Sequence, residues 1–172
     1  MTAAEGVARS SLRSRSGAWL VVYPLLGAAA LASRPPEVRR ARISTLALVA
    51  GLGLAAAGYS AGRAILGSRP YEPPPESLEL ELAAVAGVVA PAEELIWGRC
   101  VETRVGIPLC AALFAAKHVA IDGRWRRSLG LSLFWVGLGL VRRRSPALAL
   151  AVHVAANAAA VIAGHATGRD SF

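Results

Sequence analysis

Apolar residues along the chain form six stretches, separated by short connectors rich in arginine or proline. The stretches are residues 17–33, 43–66, 78–97, 106–121, 128–141 and 146–164. A helix that crosses a bilayer needs about 20 apolar residues, and the second, third and sixth stretches are long enough. The fourth and fifth are short, so they need a thin bilayer or shelter inside a bundle. Because no stretch alternates like a barrel strand, the pattern predicts an all-α fold: a polytopic membrane helical bundle of about six transmembrane segments.

Composition points the same way. Of the 172 residues, 55% are hydrophobic and 17% are charged, whereas soluble domains average roughly 45–50% and 25%. The net charge of +8 is explained by arginines that flank apolar spans at a lipid surface. Aromatic residues are scarce and not interleaved with basic ones, so no nucleic-acid partner is expected. The dominance of arginine and alanine is typical of a GC-rich bacterium, which predicts a multi-pass protein of the bacterial inner membrane.

The chain divides into three parts. Residues 1–77 hold a basic tail and two membrane helices, residues 78–164 hold a core of four membrane helices, and residues 165–172 form a C-terminal tail. The first stretch has features of a signal peptide, but Tyr23-Pro24 interrupts it, so we expect an uncleaved anchor. Arginines divide nine against nine between the two sides, which leaves the membrane orientation open. The two cysteines, Cys100 and Cys110, are expected to be buried free thiols.

Polar side chains interrupt three of the apolar stretches. Glu93 and Glu94 lie near the end of the third, His118 lies in the fourth, and His153 and Asn157 lie in the sixth. A charged group at the bilayer centre costs about 2.5–3.5 kcal/mol on insertion scales, so such residues are functional candidates. His153 and Asn157 are four residues apart and therefore share one helix face.

Two carboxylates and two imidazoles around one cavity can activate water, and a neighbouring amide can donate to an oxyanion. Structural roles stay open for each group. The glutamates can cap a helix end or pair with Arg99 and Arg104. His118 can be a hydrogen-bonded core residue or a partner of Asp122, and His153 with Asn157 can bridge helices. Lys117 is expected at the membrane interface, and no role is expected for His165.

The order of these residues resembles the CPBP family, the CAAX-protease and bacteriocin-processing (Abi) intramembrane proteases. That family has three motifs on successive membrane helices: E-E-x-x-x-R, F-x-x-x-H and H-x-x-x-N. Glu93-Glu94, Phe114 to His118 and His153 to Asn157 match them in order, and the resemblance covers roughly residues 78–164. One departure concerns the first motif, where the family has Arg followed by Gly and this chain has Gly98 followed by Arg99. A shift of one residue turns a side chain by about 100° around a helix, so either Arg99 or Arg104 is expected to take the role.

The resemblance implies an intramembrane endopeptidase that hydrolyses peptide bonds of a membrane protein or peptide substrate. Glu93 would be the base that activates water, assisted by His118, and Glu94 would pair with Arg99. His153 and Asn157 would hold the oxyanion, which completes the catalytic set implied by the family.

The family has been described both as metal-dependent and as glutamic-type. No cofactor is favoured here, although two histidines and a glutamate can bind zinc with an open position for water. Two other functions stay open: a non-catalytic immunity or partner-binding protein of the same fold, and a small proton-coupled transporter. A protease needs the polar groups to converge in one cavity, whereas a proton relay would string them along a pore. The substrate and the oligomeric state are left undetermined.

Overall fold

The computed structural model describes residues 15–33, 43–67 and 76–168, and these ranges contain six helices and no strand. We number them α1 to α6 in chain order, and α3 covers residues 78–105. The other five are α1 Arg15–Ala32, α2 Thr45–Leu66, α4 Ile107–Asp122, α5 Ser128–Arg144 and α6 Pro146–Thr167. The predicted all-α bundle is therefore confirmed, and each apolar stretch corresponds to one helix.

Helix α3 is continuous but irregular, because π-helical turns interrupt it twice. Its α-helical segments are Leu78–Ala84, Ala90–Glu93 and Glu102–Val105. The π-helical segments between them are Val85–Val89 and Glu94–Val101. Turns of this kind are rare and occur frequently at functional sites. The second one begins at a glutamate of the first sequence motif.

Serines set the start of three helices. The side chains of Ser44, Ser77 and Ser145 each accept a hydrogen bond from the backbone N–H three residues on, in α2, α3 and α6. Each bond satisfies one of the N–H groups that a helix start leaves without a partner. Gly123 ends α4 in the left-handed conformation, with φ of 70°, which a glycine adopts without strain.

By length and composition, α1, α2 and α6 are able to cross a membrane, and α4 is a shorter apolar helix. The first stretch is thus long enough to span a membrane, although its helix is near the lower limit of length. The third stretch was expected to be long enough to span, but it is not one of the three. Its helix alternates between α-helical and π-helical segments and carries buried glutamates.

The bundle combines a buried apolar core with an apolar outer surface and several buried polar groups, which is unlike a soluble protein. Large apolar side chains on α1, α2, α4 and α6 face outward, which is expected of a surface in contact with lipid tails; they include Val21, Leu25, Leu46, Val49, Ile65, Leu109, Ile121 and Ile162. Ionisable and amide groups lie inside, namely Glu81, Glu93, Glu94, Glu102, Arg127, Arg142, His153 and Asn157.

Helix α5 is the centre of the bundle and packs against α2, α4 and α6. Its contact with α2 is close because glycines face each other across it. A Cβ atom at Gly62 would lie 2.4 Å from the backbone nitrogen of Gly130, and one at Gly137 would lie 2.4 Å from that of Ala55. Small residues allow such backbone contact between membrane helices. On its other side α5 stacks Trp135 on Phe114 of α4, with ring centroids 4.1 Å apart.

Candidate active site

Four of the residues that the sequence singled out converge in the interior of the bundle. Glu93 and Glu94 lie at the junction between the Ala90–Glu93 segment and the second π-helical segment of α3. Both are buried, and His153 of α6 lies between them and is also buried. His118 of α4 completes the group and keeps 23% of its side chain exposed. The group is therefore enclosed by α3, α4 and α6, with one imidazole at its edge.

The Glu93 carboxylate is surrounded by hydrogen-bond donors. Its Oε1 accepts from the Lys117 ammonium at 2.5 Å and from the Tyr23 hydroxyl at 3.1 Å. The Nε2 atom of His118 lies 4.0 Å from Oε1, and the Nε2 atom of His153 lies 3.7 Å from Oε2. Such distances are too long for direct hydrogen bonds but allow one water molecule to contact both groups. The buried charge of Glu93 is compensated by a lysine from the neighbouring helix.

Both histidines present the same ring nitrogen to Glu93. The Nδ1 atom of His118 lies 2.9 Å from the backbone oxygen of Phe114, and Nδ1 of His153 lies 3.0 Å from Oε1 of Glu94. A carbonyl or an ionised carboxylate only accepts, so Nδ1 carries the hydrogen in each ring. In the neutral form of each ring, Nε2 is then an acceptor directed at Glu93. Two acceptors beside a carboxylate suit a water molecule that has two hydrogens to donate.

The Glu94 carboxylate is held by an arginine of helix α5. Arg142 donates from Nε to Oε2 at 2.9 Å and from Nη2 to Oε1 at 3.0 Å, and its Nη1 donates to Glu102. All three side chains are buried. This two-point arginine–carboxylate contact fixes the position of Glu94. Since Glu94 in turn accepts from His153, the arginine fixes the orientation of that imidazole through the carboxylate.

The expected pairing of Glu94 with Arg99 is corrected by this arrangement. Arg99 lies one residue beyond Gly98, so its side chain leaves the helix in another direction. The Arg99 side chain makes no hydrogen bond or ion pair with any residue in the described ranges, whereas Arg142 binds both oxygens of Glu94. A Cβ atom at Gly98 would lie 2.6 Å from Nε of Arg142. Thus a glycine stands where the family motif has its arginine, and a guanidinium from another helix fills the space.

The alternative arginine, Arg104, does not reach the glutamates either. Its Nη1 donates to the backbone oxygen of Cys100, one helical turn earlier.

Asn157 is placed on the same side of α6 as His153, but it makes a different contact. Its Nδ2 donates to the backbone oxygen of Val85 at 3.2 Å. Val85 begins the first π-helical segment, and its oxygen also accepts from the N–H of Ala90. Asn157 therefore ties α6 to an irregular turn of α3. This bond uses one of the two N–H bonds of the amide, so the oxyanion role that the resemblance implies for Asn157 would fall to the other.

Other expectations from the sequence have mixed outcomes. Both cysteines are free as predicted, with Cys110 buried and Cys100 only partly so. His165, for which no role was expected, contacts Glu81 at 2.9 Å. The side chain of Asp122 is outside the described part of the chain, so its pairing with His118 stays a prediction.

Three site residues were missed by the sequence analysis, namely Tyr23, Lys117 and Arg142. Lys117 was expected at the membrane interface, yet it lies beside Glu93 with 18% of its side chain exposed. Its ammonium also lies over aromatic rings, 4.7 Å from the ring centroid of Phe114. The available signals were the position of Lys117, immediately before the motif histidine, and the glycine at position 98. Tyr23 has no comparable signal, because it comes from outside the three motifs.

A zinc ion at Glu93 would compete with Lys117. Within the described ranges, no three His, Cys, Asp or Glu side chains are grouped as metal ligands. The Glu93 oxygen nearest to His118 is already bound to a cation, the Lys117 ammonium. Nδ1 of His153 is bound to Glu94, which leaves Nε2 as the nitrogen that faces Glu93. A metal on Oε1 of Glu93 would have to displace Lys117.

Comparisons of the chain with protein-family models, with curated proteins and with solved structures found no match.

Proposed function

We propose that this protein is an intramembrane endopeptidase of the CPBP type, acting on a membrane protein or peptide. The observation that carries the proposal is the convergence of two glutamates and two histidines around Glu93, within a bundle whose outer surface is apolar. These residues come from three helices, and each belongs to one of the three motifs on which the resemblance rests. A proton pathway would instead need these groups to be spread along a pore.

Glu93 is the general base in this proposal. A water molecule donates one hydrogen to the Glu93 carboxylate and the other to Nε2 of His118, which turns its oxygen lone pairs toward the substrate. As the water oxygen bonds to the carbonyl carbon, its proton passes to Glu93 and the carbonyl electrons move onto oxygen. The C–N bond then breaks, the departing nitrogen takes the proton from Glu93, and the products are a carboxylic acid and an amine.

Glu94 and Arg142 are positioning residues in this scheme. Their ion pair holds His153 by Nδ1, so that Nε2 stays directed at Glu93. The oxyanion needs a hydrogen-bond donor close to Glu93. The proposed location is a bacterial inner membrane, which the chain crosses several times; α1, α2 and α6 are the helices able to do so by length and composition.

The test compares membranes that contain the wild-type protein with membranes that contain Glu93→Gln, which keeps the shape of the side chain and removes the base. New protein N-termini are identified by mass spectrometry after chemical labelling of amines. The matched control is Glu79→Gln, a substitution at an exposed glutamate of the same helix. We expect a set of N-termini that is present with wild type and Glu79→Gln and absent with Glu93→Gln.

Identical sets for all three proteins would overturn the proposal and favour the non-catalytic, partner-binding alternative. Inhibition of wild-type cleavage by a zinc chelator, with recovery on added zinc, would overturn the metal-free mechanism and leave the hydrolase in place.

A further inference from the structure

Arginines are concentrated at one end of the bundle, where α2 ends and where α4 is connected to α5. One arginine lies in the last turn of α2, and three lie in the connection, which contains a short 3₁₀-helical turn. The structure brings the two parts together, because Nη1 of Arg126 donates to the backbone oxygen of Gly67 at 3.4 Å. We call this group the arginine cluster, and it consists of Arg63, Arg124, Arg126 and Arg127 with the rings of Tyr59 and Trp125.

Tyr59 of α2 is the centre of the arginine cluster. Its hydroxyl accepts a hydrogen bond from Nε of Arg127 at 2.9 Å. The Cζ atoms of Arg127 and Arg63 lie 5.9 Å and 5.7 Å from the centroid of its ring. The positive charges of Arg63, Arg124 and Arg127 all act on the hydroxyl. Guanidinium groups from two separate parts of the chain thus meet around one side chain, so the cluster is produced by the packing of the helices.

The outer part of the cluster is open to the surroundings. Arg126 is exposed, and Arg63 and Arg124 are half-buried, whereas Arg127 is buried. The Cζ atom of Arg126 lies 5.4 Å from the ring centroid of Trp125, and 58% of Trp125 is exposed. Exposed tryptophans at the ends of membrane helices are typical of the level at which lipid headgroups meet acyl chains. The cluster therefore presents cations and an aromatic ring together to that layer.

The charge of this region favours an anionic ligand. The acidic residue nearest to the connection along the chain is Asp122, and with it included the four arginines still give a net charge of +3. A guanidinium has five N–H bonds in a planar fork, which matches two oxygens of a phosphate at once. Arg126 uses one of its N–H groups on Gly67, so this contact leaves the others for a ligand. A phosphate bound here would also reduce the repulsion between neighbouring guanidinium groups.

Apolar side chains beside the cluster are strongly exposed as well. Ile65 is two residues from Arg63, Ile121 is three residues from Arg124, and each lies in the last turn of its helix. A ligand at the cluster therefore has cations and exposed aliphatic groups within its reach. A free phosphate ion would use only the cations, whereas a molecule with an anionic head and acyl chains would use both.

We propose that the arginine cluster binds the headgroup of an anionic phospholipid, whose phosphate oxygens accept hydrogen bonds from Arg124 and Arg126 while its acyl chains lie against Trp125 and Ile121. Basic pockets between membrane helices are known to bind anionic headgroups. A zwitterionic headgroup carries its own cation, which the arginines repel, so the cluster discriminates between the two lipid classes. The inference is independent of the proposed protease function, because no residue of the cluster belongs to the site around Glu93.

Binding is measured by native mass spectrometry of the full chain released from micelles of a neutral detergent. The protein is titrated with dioleoylphosphatidylglycerol and, separately, with dioleoylphosphatidylcholine, which differ only in the headgroup. We expect the affinity for phosphatidylglycerol to be about thirtyfold higher, as two arginine contacts with an anionic lipid would give. Equal affinities for the two lipids would overturn the proposal. Displacement of phosphatidylglycerol by an equal concentration of inorganic phosphate would overturn the lipid as occupant and identify a site for the free ion.

The position of the site is tested with Arg124→Gln combined with Arg126→Gln. We expect the affinity for phosphatidylglycerol to fall about thirtyfold, to that for phosphatidylcholine. The matched control is Arg104→Gln with Arg144→Gln, which removes the same charge from exposed arginines at the ends of α3 and α5. We expect less than about a twofold change in this control, because contacts at another surface do not contribute to the site. Equal losses in the two double variants would mean attraction to the net charge of the protein and would overturn a specific site.

A single variant covers the case in which the double variant at the cluster does not fold. Arg126 is exposed, so Arg126→Gln is expected to keep the circular dichroism spectrum and the unfolding temperature of the lipid-free wild type. We expect this variant to bind phosphatidylglycerol about fivefold more weakly, as the loss of one arginine contact would give. An unchanged affinity in folded Arg126→Gln would contradict the proposed contact with the phosphate.

Discussion

The guanidinium of Arg142 occupies the space that a side chain at position 98 would need. Gly98 has no Cβ, and one built there would lie 2.6 Å from Nε and 2.8 Å from Cζ of Arg142. The same guanidinium binds both oxygens of Glu94. The guanidinium of Arg142 on α5 can therefore lie against α3 only because Gly98 has no side chain.

Replacing Gly98 with alanine should displace Arg142 and disturb the Glu94–His153 contact behind it. Overpacking of a well-packed interior costs about 1–3 kcal/mol, so the free energy of unfolding in bicelles should fall by that amount, and cleavage should fall with it. Gly87→Ala on the same helix is the control, because a Cβ at Gly87 would meet no atom closer than 4.0 Å. Equal stability of the two variants would contradict the packing argument.

Removing Arg142 should destabilise the protein more than crowding it with a side chain at position 98. Arg142→Leu leaves Glu94 and Glu102 buried without a cation, and breaking a buried ion pair in this way costs about 3–5 kcal/mol. Adding Glu94→Gln and Glu102→Gln to Arg142→Leu removes the unpaired charges and should recover part of the loss. Thermal unfolding in detergent measures both effects.

The control for that experiment is Arg99→Ala, which removes the arginine that the family motif would place beside Glu94. Since the side chain of Arg99 makes no hydrogen bond or ion pair with a described residue, we expect its loss to change stability and cleavage by less than a factor of two. A strong loss of activity in Arg99→Ala, with Arg142→Leu active, would reverse our assignment of the two arginines.

Asn157→Ala distinguishes an anchor from an oxyanion ligand. If Asn157 ties α6 to the π-helical turn at Val85, its removal should cost roughly 0.6–1.7 kcal/mol of stability, the range for hydrogen bonds between membrane helices. Cleavage would then fall only in proportion to the folded fraction. A drop in kcat of a hundredfold at unchanged unfolding temperature would instead place the amide on the substrate, as the family resemblance implies.

The close contact between α2 and α5 predicts strong sensitivity at its glycines. Gly62→Ala places a methyl group 2.4 Å from the backbone nitrogen of Gly130, so the two helices must separate. Gly53→Ala on the same helix meets nothing within 4 Å and is the control. We expect a lower unfolding temperature for Gly62→Ala alone, measured by circular dichroism. An unchanged unfolding temperature would mean that α2 and α5 can move apart without loss of stability.

The number of helices and the convergence of the motif residues were predictable from the sequence. Hydrophobic stretches bounded by arginine or proline leave few alternatives to helices in lipid. For polar groups on three such helices, contact with one another is also lower in free energy than contact with hydrocarbon. Glu93, His118 and His153 meet for this reason, because each lies within an apolar segment.

The partners of the glutamates were not predictable in the same way. Arg142 stands in a run of three arginines at the end of α5, and such a run is typical of a membrane-surface turn. Only the register of α5 against α3 shows that the first of the three points inward. Lys117 was misjudged for a related reason, since a lone lysine in an apolar helix usually extends to the interface. Its contact with Glu93 depends on the angle between α3 and α4.

The π-helical segment from Glu94 to Val101 has a consequence for the spacing of residues along α3. Its hydrogen bonds join residues five apart where an α-helix joins residues four apart, so the turn accommodates one additional residue. The arginine at position 99 stands one residue later than the family motif has it. The additional residue of the π-helical turn matches the longer spacing between Glu94 and Arg99, so the irregular backbone and the late arginine are two aspects of one local feature of α3.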